Sequence, residues 1–217
     1  IIRKILHVDP DIIHIQSHGG LWFSLLSVFL RNYNIVNEVH DITPHVGDER
    51  SKNKGYSIMS FFAKKFTTHY IVHGKNLQKQ MMEEYMLEED KISIVPLGNL
   101  SIYQKSDSVF FEEEPNTVLF FGRIWPYKGL EYLIKAEPLI SSFLPDLNIV
   151  IAGEGEPFER YNKMIKNSSS FTIKNYRVSN DELSELFQKA AVVVLPYIEA
   201  TQSGIITIAF AYGKPVV

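Results

Sequence analysis

Short apolar runs, most of them closed by Gly, Pro or Asn, punctuate this chain from end to end: "DIIHIQ", "NIVNEVHD", "HYIVHG", "ISIVPLG", "TVLFFG", "NIVIAGEG", "SFTIKNY", "AVVVLPY" and "KPVV". Their Ile and Val content marks them as strands. They are apolar in succession rather than at every second residue, which is the pattern of strands buried on both faces. Helix-period stretches separate them at 21–30, 56–66, 76–86, 130–142, 156–167, 180–189 and 203–212. Strand alternating with helix in this way predicts an α/β fold, with parallel sheets carrying helices on both faces.

The rhythm fails once. The stretch "LSIYQKSDSVFFEEEPN" is polar and acidic, and it separates a region with all seven histidines from one with none. Each side restarts its own alternation. The expected organisation is an N-terminal Rossmann-like domain at 1–100, a linker at 101–116 and a C-terminal Rossmann-like domain at 117–217. A chain of 217 residues is long enough for two compact domains. The chain opens on "IIRKILHVDPD" without a methionine and closes inside a strand-like run. Both domains are therefore expected to be incomplete, parts of a longer protein.

Composition narrows the function. A formal charge of -3 removes the electrostatic case for a general nucleic-acid binder, and the absence of cysteine excludes disulfides, thiolate metal sites and a cysteine nucleophile. It also fits a reducing, cytoplasmic setting. The apolar run "GGLWFSLLSVFL" falls short of the ~20 residues that span a bilayer. The segment "RSKNKGYSIMSFFAKKF" joins basic residues to an amphipathic pattern of Ile58, Met59, Phe61, Phe62 and Phe66. That pattern fits first a helix packed on its own sheet, as ordinary core helices are, and second one resting peripherally on an anionic membrane surface.

In sheets of this kind ligands bind beyond the carboxyl ends of the strands. In "VLFFGRIWPYKGLEYLIKA" a strand ends at Gly122, and Arg123 and Lys128 occupy the loop before the next helix. A diphosphate calls for such a set: a guanidinium to grip two oxygens, an ammonium as a point charge, and a glycine for close backbone approach. Ordinary solvated charges on a loop give the same pattern. In "PYIEATQSGIITIAFAYGKPVV" a polar loop leads into a helix that Gln202 or Ser203 can cap and that Gly213 ends, so its N-terminus faces the same rim. Capping accounts for Ser203 but not for Glu199.

"IAGEGEPF" opens like a dinucleotide fingerprint, but Phe158 stands at the third glycine position. Gly153 then reads as a strand-end glycine. The pairs His14 and His18, His40 and His45, and His69 and His73 are spaced four, five and four positions apart, near a helical four-residue gap. They lie in or beside strands, where that gap does not put ligands on one helical face, so no metal is expected. His40 and Asp41 follow a strand and reach the rim, as site residues or as a merely hydrogen-bonded pair.

The ordered set "DIIHIQSHGG", "NEVHD", "HYIVHGKNLQKQM", "KISIVPLGN", "VLFFGRIWPYKGLEYLIKA", "VIAGEGEP", "VSNDELSELFQKAAVVVLPY" and "GIITIAFAYGKPVV" resembles the retaining nucleotide-sugar glycosyltransferases of the GT-B fold, the "group 1" or family four enzymes. The resemblance implies a donor diphosphate held by Arg123, Lys128 and backbone groups of Ser203, Gly204 and Ile205. Gly122 and Gly153 line that donor site. It implies that His40 reaches across from the first domain and that Glu199 contacts the transferred sugar. The family's second glutamate, eight positions on, is here Thr207, which cannot give a bidentate carboxylate grip on a ribose. Tyr176 replaces a common glycine near the base.

The implied reaction moves a sugar from a nucleoside diphosphate donor to the hydroxyl of a glycan or lipid-linked acceptor, without metal or cofactor. Its setting is polysaccharide biosynthesis, at the inner face of the membrane. A same-fold sugar-nucleotide epimerase or phosphorylase is a different enzyme reading. A non-catalytic sugar-nucleotide-binding subunit is the reading that Thr207 favours.

Overall fold

The computed structural model describes residues 1–16, 26, 28–42, 64–98, 100–104, 109–166, 168–200 and 202–217. The chain divides into two compact units, Ile1–Leu97 and Gly98–Val217. Each is an α/β unit around a four-stranded parallel sheet.

In the first unit, helix α1 (Ile2–Val8) ends at Asp9, whose left-handed backbone turns the chain into β1 (Ile12–Ile15). The sheet continues with β2 (Asn34–Glu38), β3 (His69–Val72) and β4 (Ile92–Ile94), in the spatial order β1-β2-β3-β4. Helix α2 (Lys75–Tyr85) crosses from β3 to β4 and buries Leu77 and Met81 against Val39, Tyr70, Val72 and Ile92. The helix patterns at 21–30 and 56–66 lie largely outside the described residues, as do His18, His45 and the apolar members Ile58, Met59, Phe61 and Phe62.

The second unit holds β5 (Thr117–Phe121), α3 (Leu130–Phe143), β6 (Asn148–Ala152), α4 (Glu159–Ile165), β7 (Phe171–Lys174), α5 (Asn180–Lys189), β8 (Val192–Val193) and α6 (Gly204–Ala211). The strand order is β7-β6-β5-β8. Strand β5 shows why its sequence is apolar throughout. Val118 and Phe120 point into one core with Leu130, Leu133 and Tyr161, while Leu119 points into the other with Leu183, Phe187 and Ile208. Alternate residues thus serve opposite faces, and both faces are covered.

Several boundaries move for local reasons. Helix α4 starts three residues later than its pattern suggests, because the Glu156 N–H donates to Ile124 O (2.9 Å) and keeps Glu156 in the loop. The expected strand "KPVV" is only an isolated bridge from Val216 to Val193. Helix α6 stops at Ala211, and its end is a Schellman turn: Gly213 takes a positive φ of 67° and the Lys214 N–H returns to Ala209 O (2.9 Å).

The polar stretch expected as a linker is held, where described, against the second unit. Tyr212 Oη donates to Tyr103 O (2.7 Å), and buried Lys214 pairs with Glu113 (2.6 Å). Among the described residues no helix is long and apolar enough to cross a membrane.

Candidate functional site

The order β7-β6-β5-β8 creates a reversal in the second unit. From β5 the chain builds outward to β6 and β7, then returns to lay β8 on the other side of β5. Connections leaving β5 and β8 therefore diverge, and the crevice between their carboxyl ends is where such sheets take ligands.

Three glycines fix the loops at that edge. A Cβ on Gly153 would lie 1.9 Å from Gly122 O, one on Gly155 2.0 Å from Ile124 O, and one on Gly129 1.9 Å from Pro196 O. The loops after β5, β6 and β8 are thus packed backbone on backbone, which only glycine permits. Gly122 and Gly153 also carry φ of 122° and 146°. The Ile198 N–H donates to Tyr127 O (2.9 Å), tying the β8 loop to the β5 loop once more. A Cβ at Gly122 would meet Ile205 of α6 at 3.7 Å, so the first turn of that helix borders the same edge.

On this frame Arg123 is exposed just past β5. Lys128 closes the short turn Pro126–Lys128, and its Nζ lies 3.7 Å from the ring centroid of Tyr197. The Tyr197 hydroxyl meets Ser203 Oγ at 3.1 Å. Burial pushes the Tyr197 phenol up from its ordinary pKa, so it stays neutral and serves as a hydrogen-bonding wall.

This corrects one expectation. Ser203 is the N-cap residue of α6, yet its side chain makes no capping bond, because the hydroxyl is turned to Tyr197. The Ile206 N–H donates to Ser203 O (3.2 Å), and the first turn of α6, with Gly204 and Ile205, has no side-chain cap.

Glu199 is exposed on the β8 loop. Among the described residues neither it nor Arg123 makes a hydrogen bond or ion pair with another predicted site residue. Thr207 donates its hydroxyl to Gly204 O (2.8 Å), a bond within its own helix. Tyr176 is 47% exposed and donates to Glu182 Oε1 (2.7 Å), which Lys174 also reaches (2.8 Å). Its ring therefore stands at the open side of the β7 end with its hydroxyl already committed.

In the first unit His40 follows β2, and its Nε2 lies 3.4 Å from Glu38 Oε1. The sheet gathers more around that carboxylate than sequence spacing suggested. His73 Nε2 stands 3.0 Å from Glu38 Oε1, and His14 Nε2 stands 3.3 Å from Oε2. The donor atoms of Glu38, His40 and His73 all lie within 4.8 Å of one another, a set able to hold a metal ion. Pairing histidines four or five apart within one segment missed this, because the cluster draws on three segments. The register shows why: His14 opposes Val36 and Glu38 opposes Ile71, so His14, Glu38, His40 and His73 share one face by alternation.

Comparison with known proteins agrees with this architecture. Two parallel α/β units of this form define the GT-B class of sugar transferase. The Glycosyltransferase Family 4 model matches residues 1–98 and the Glycosyl transferases group 1 model matches 115–217, leaving only 99–114 unmatched. The chain belongs to the group 1, family four glycosyltransferases. It is 23% identical over 217 residues to a glycosyltransferase of Haemophilus influenzae, covering 100% of this chain and 59% of that one. It is 26% identical over 177 residues to the O-antigen chain mannosyltransferase RfbU of Salmonella typhimurium, covering 78% and 47%.

Among solved structures, the pneumococcal O-GlcNAc transferase GtfA in complex with UDP and GlcNAc has a TM-score of 0.72 at 16% identity, over 99% of this chain and 43% of that one. Sucrose-phosphate synthase from Thermosynechococcus elongatus has a TM-score of 0.74 at 16% identity, over 99% and 57%. The chain spans about half the length of the curated relatives it matches.

Proposed function

We propose that the protein is a retaining, metal-independent hexosyltransferase that moves a sugar from a nucleoside diphosphate donor to an acceptor hydroxyl during glycan or polysaccharide assembly. The observation that carries this reading is the β5/β8 edge of the second unit. There a glycine-locked backbone carries Arg123 and Lys128 in the loop after β5, and the first turn of α6, without a side-chain cap, borders Gly122, which supports a diphosphate site at this edge.

Breaking the anomeric bond leaves negative charge on the departing diphosphate. Fixed cations and oriented N–H groups stabilise that charge more in the transition state than in the ground state, which lowers the barrier. Arg123 is suited to two phosphate oxygens at once. Lys128, held over the Tyr197 ring, supplies a point charge with restricted motion. Glu199 contacts the transferred sugar, Gly122 and Gly153 admit the donor close to the backbone, and Tyr176 borders the base. His40 is the contribution of the first unit, which takes the acceptor side. The O-antigen chain mannosyltransferase relative favours a hexose donor and a glycan acceptor; a lipid-linked acceptor and a place in the cytoplasm at the inner membrane face belong to the same reading by family analogy.

Thr207 favours a second reading, a subunit that binds sugar nucleotide without turning it over. Threonine offers no carboxylate to a ribose, and its hydroxyl already donates to Gly204 O. Incubating the full-length protein with a panel of nucleotide sugars and measuring nucleoside diphosphate release separates the two. Release that needs an acceptor and is lost in Arg123→Ala supports transfer. Binding without release supports the subunit, and absence of binding to every donor defeats both.

A further inference from the structure

Glu38 gathers three histidines, of which the proposed sugar transfer uses only His40. The His73 Nδ1 lies 2.7 Å from Val95 O. A carbonyl oxygen only accepts, so Nδ1 donates to it, which leaves Nε2 directed at Glu38 Oε1, 3.0 Å away. An ionised carboxylate has only lone pairs to offer in return. Either a proton on Nε2 or a bound cation satisfies that pair. His73 is also 94% buried at its side chain, 6% being exposed, and Glu38 is 14% exposed, so an unrelieved contact would be costly.

A single proton can serve one N···O pair. Here two imidazole nitrogens converge on the same oxygen, at 3.0 and 3.4 Å. In a tetrahedral site with zinc-to-ligand bonds of ~2.0–2.1 Å, the ligand atoms stand about 3.3 Å apart, which matches these edges. The atoms behind the ligands are fixed as well. The far nitrogen of His73 is held by the Val95 carbonyl and the far oxygen of Glu38 faces His14 at 3.3 Å, the support that orients metal ligands.

We propose that His40 Nε2, His73 Nε2 and Glu38 Oε1 bind one divalent transition cation of the zinc type, with His14 positioning the carboxylate. Imidazole and carboxylate together favour such an ion over magnesium or calcium. Three protein ligands leave a coordination position for water. Occupancy engages the His40 Nε2, so it competes with any other use of that nitrogen. The inference rests on atoms of the first unit alone and shares His40 with the proposed transfer, for which the cation is an occupant of that residue rather than a cofactor.

The test uses the full-length protein after chelator treatment, titrated with Co²⁺ and then Zn²⁺. One Co²⁺ per chain with strong visible d–d absorption, displaced by Zn²⁺, is expected. His73→Gln and Glu38→Gln should each weaken Zn²⁺ binding by more than about 100-fold, and His14→Gln by about tenfold. His69→Gln should leave binding unchanged, because His69 Nε2 pairs with Ser93 instead (2.9 Å). A readout that needs no variant is the histidine ring spectrum by NMR, where Zn²⁺ should shift His40 and His73 but not His69.

Absence of stoichiometric binding overturns the proposal, as does binding that survives both His73→Gln and Glu38→Gln. A doubly protonated His73 that ignores Zn²⁺ near neutral pH would show a proton-bound cluster and also overturn it.

Discussion

The two units share four parallel strands but differ at their rims. In the first, strand order follows chain order, and the described rim gathers histidines from three segments around one carboxylate. In the second, the order reverses at β5/β8, and the rim is three glycine-locked loops with cations and a helix N-terminus at the opening. The first arrangement converges lone pairs and suits a cation. The second converges positive partial and full charge and suits an anion. One architecture thus supports opposite electrostatics, and the difference lies in what the loops carry rather than in the sheets.

The strongest way to break this comparison is through the glycines. Gly153→Ala would drive a Cβ to 1.9 Å from Gly122 O at a φ of 146°, whereas Gly74 in the first unit has open space around a Cβ. Gly153→Ala should lower stability by about 3 kcal/mol or more, through strain and backbone displacement together. Gly74→Ala should cost under about 1 kcal/mol. Urea unfolding midpoints check both. Equal midpoints would mean that the second rim is not locked.

Next in size is the charge at the opening. Arg123→Ala should reduce donor turnover by about 10²- to 10³-fold while leaving the unfolding midpoint within experimental error, since the side chain is exposed. Arg123→Lys should recover only part of the loss, because an ammonium cannot grip two oxygens in one plane. A variant that lost stability along with activity would show Arg123 to be structural instead.

How far the sequence disclosed all this differs between the rims. The double burial of β5 was legible, because Val118 to Phe121 are apolar in succession, and so was the loop from Gly122 to Lys128 between strand and helix. The turned-away hydroxyl of Ser203 was not legible, since capping preference says nothing about a tyrosine six residues earlier. The clash of Gly129 with Pro196 was equally hidden, being a contact between distant loops. The histidine cluster shows the limit most clearly. Residues 14, 38, 40 and 73 meet only because β1, β2 and β3 are neighbours in a particular register, which no single segment encodes. Local pattern gave elements; pairing between elements had to come from the fold.

A smaller effect probes position 207, where the proposed donor would place its nucleoside. Thr207→Glu removes a hydroxyl engaged with Gly204 O and adds a carboxylate in the first turn of α6, where negative charge is favoured. It should tighten the binding of a nucleoside diphosphate by about tenfold through a charge-assisted bond to ribose. Isothermal titration calorimetry of the full-length protein measures it. Unchanged affinity would remove position 207 from the donor site and weaken the contrast drawn between the rims.

The smallest expected effect asks whether charge at the β7 edge is structural rather than part of the anion-facing opening. Lys174 and Tyr176 both donate to Glu182, whose own N–H is capped by Ser179 (3.2 Å). The Lys174 and Tyr176 bonds hold the Glu182 carboxyl below its ordinary value of 4.5, and the Glu182 bond raises Lys174 above 10.5. A depressed acid stabilises the fold above its unfolded value and loses that contribution as pH falls through the folded value. A raised amine stabilises below its unfolded value and loses the contribution as pH rises through the folded one. The pair should therefore act in full between roughly pH 4.5 and 10.5. Both side chains are partly exposed, so Glu182→Gln should cost only about 0.5–1 kcal/mol at neutral pH. The gap in urea midpoint between wild type and variant should shrink as pH is lowered from about 6 to about 3. Donor binding should stay unchanged if this edge is structural, and a loss of binding in Glu182→Gln would extend the anion-facing rim from β5/β8 as far as β7.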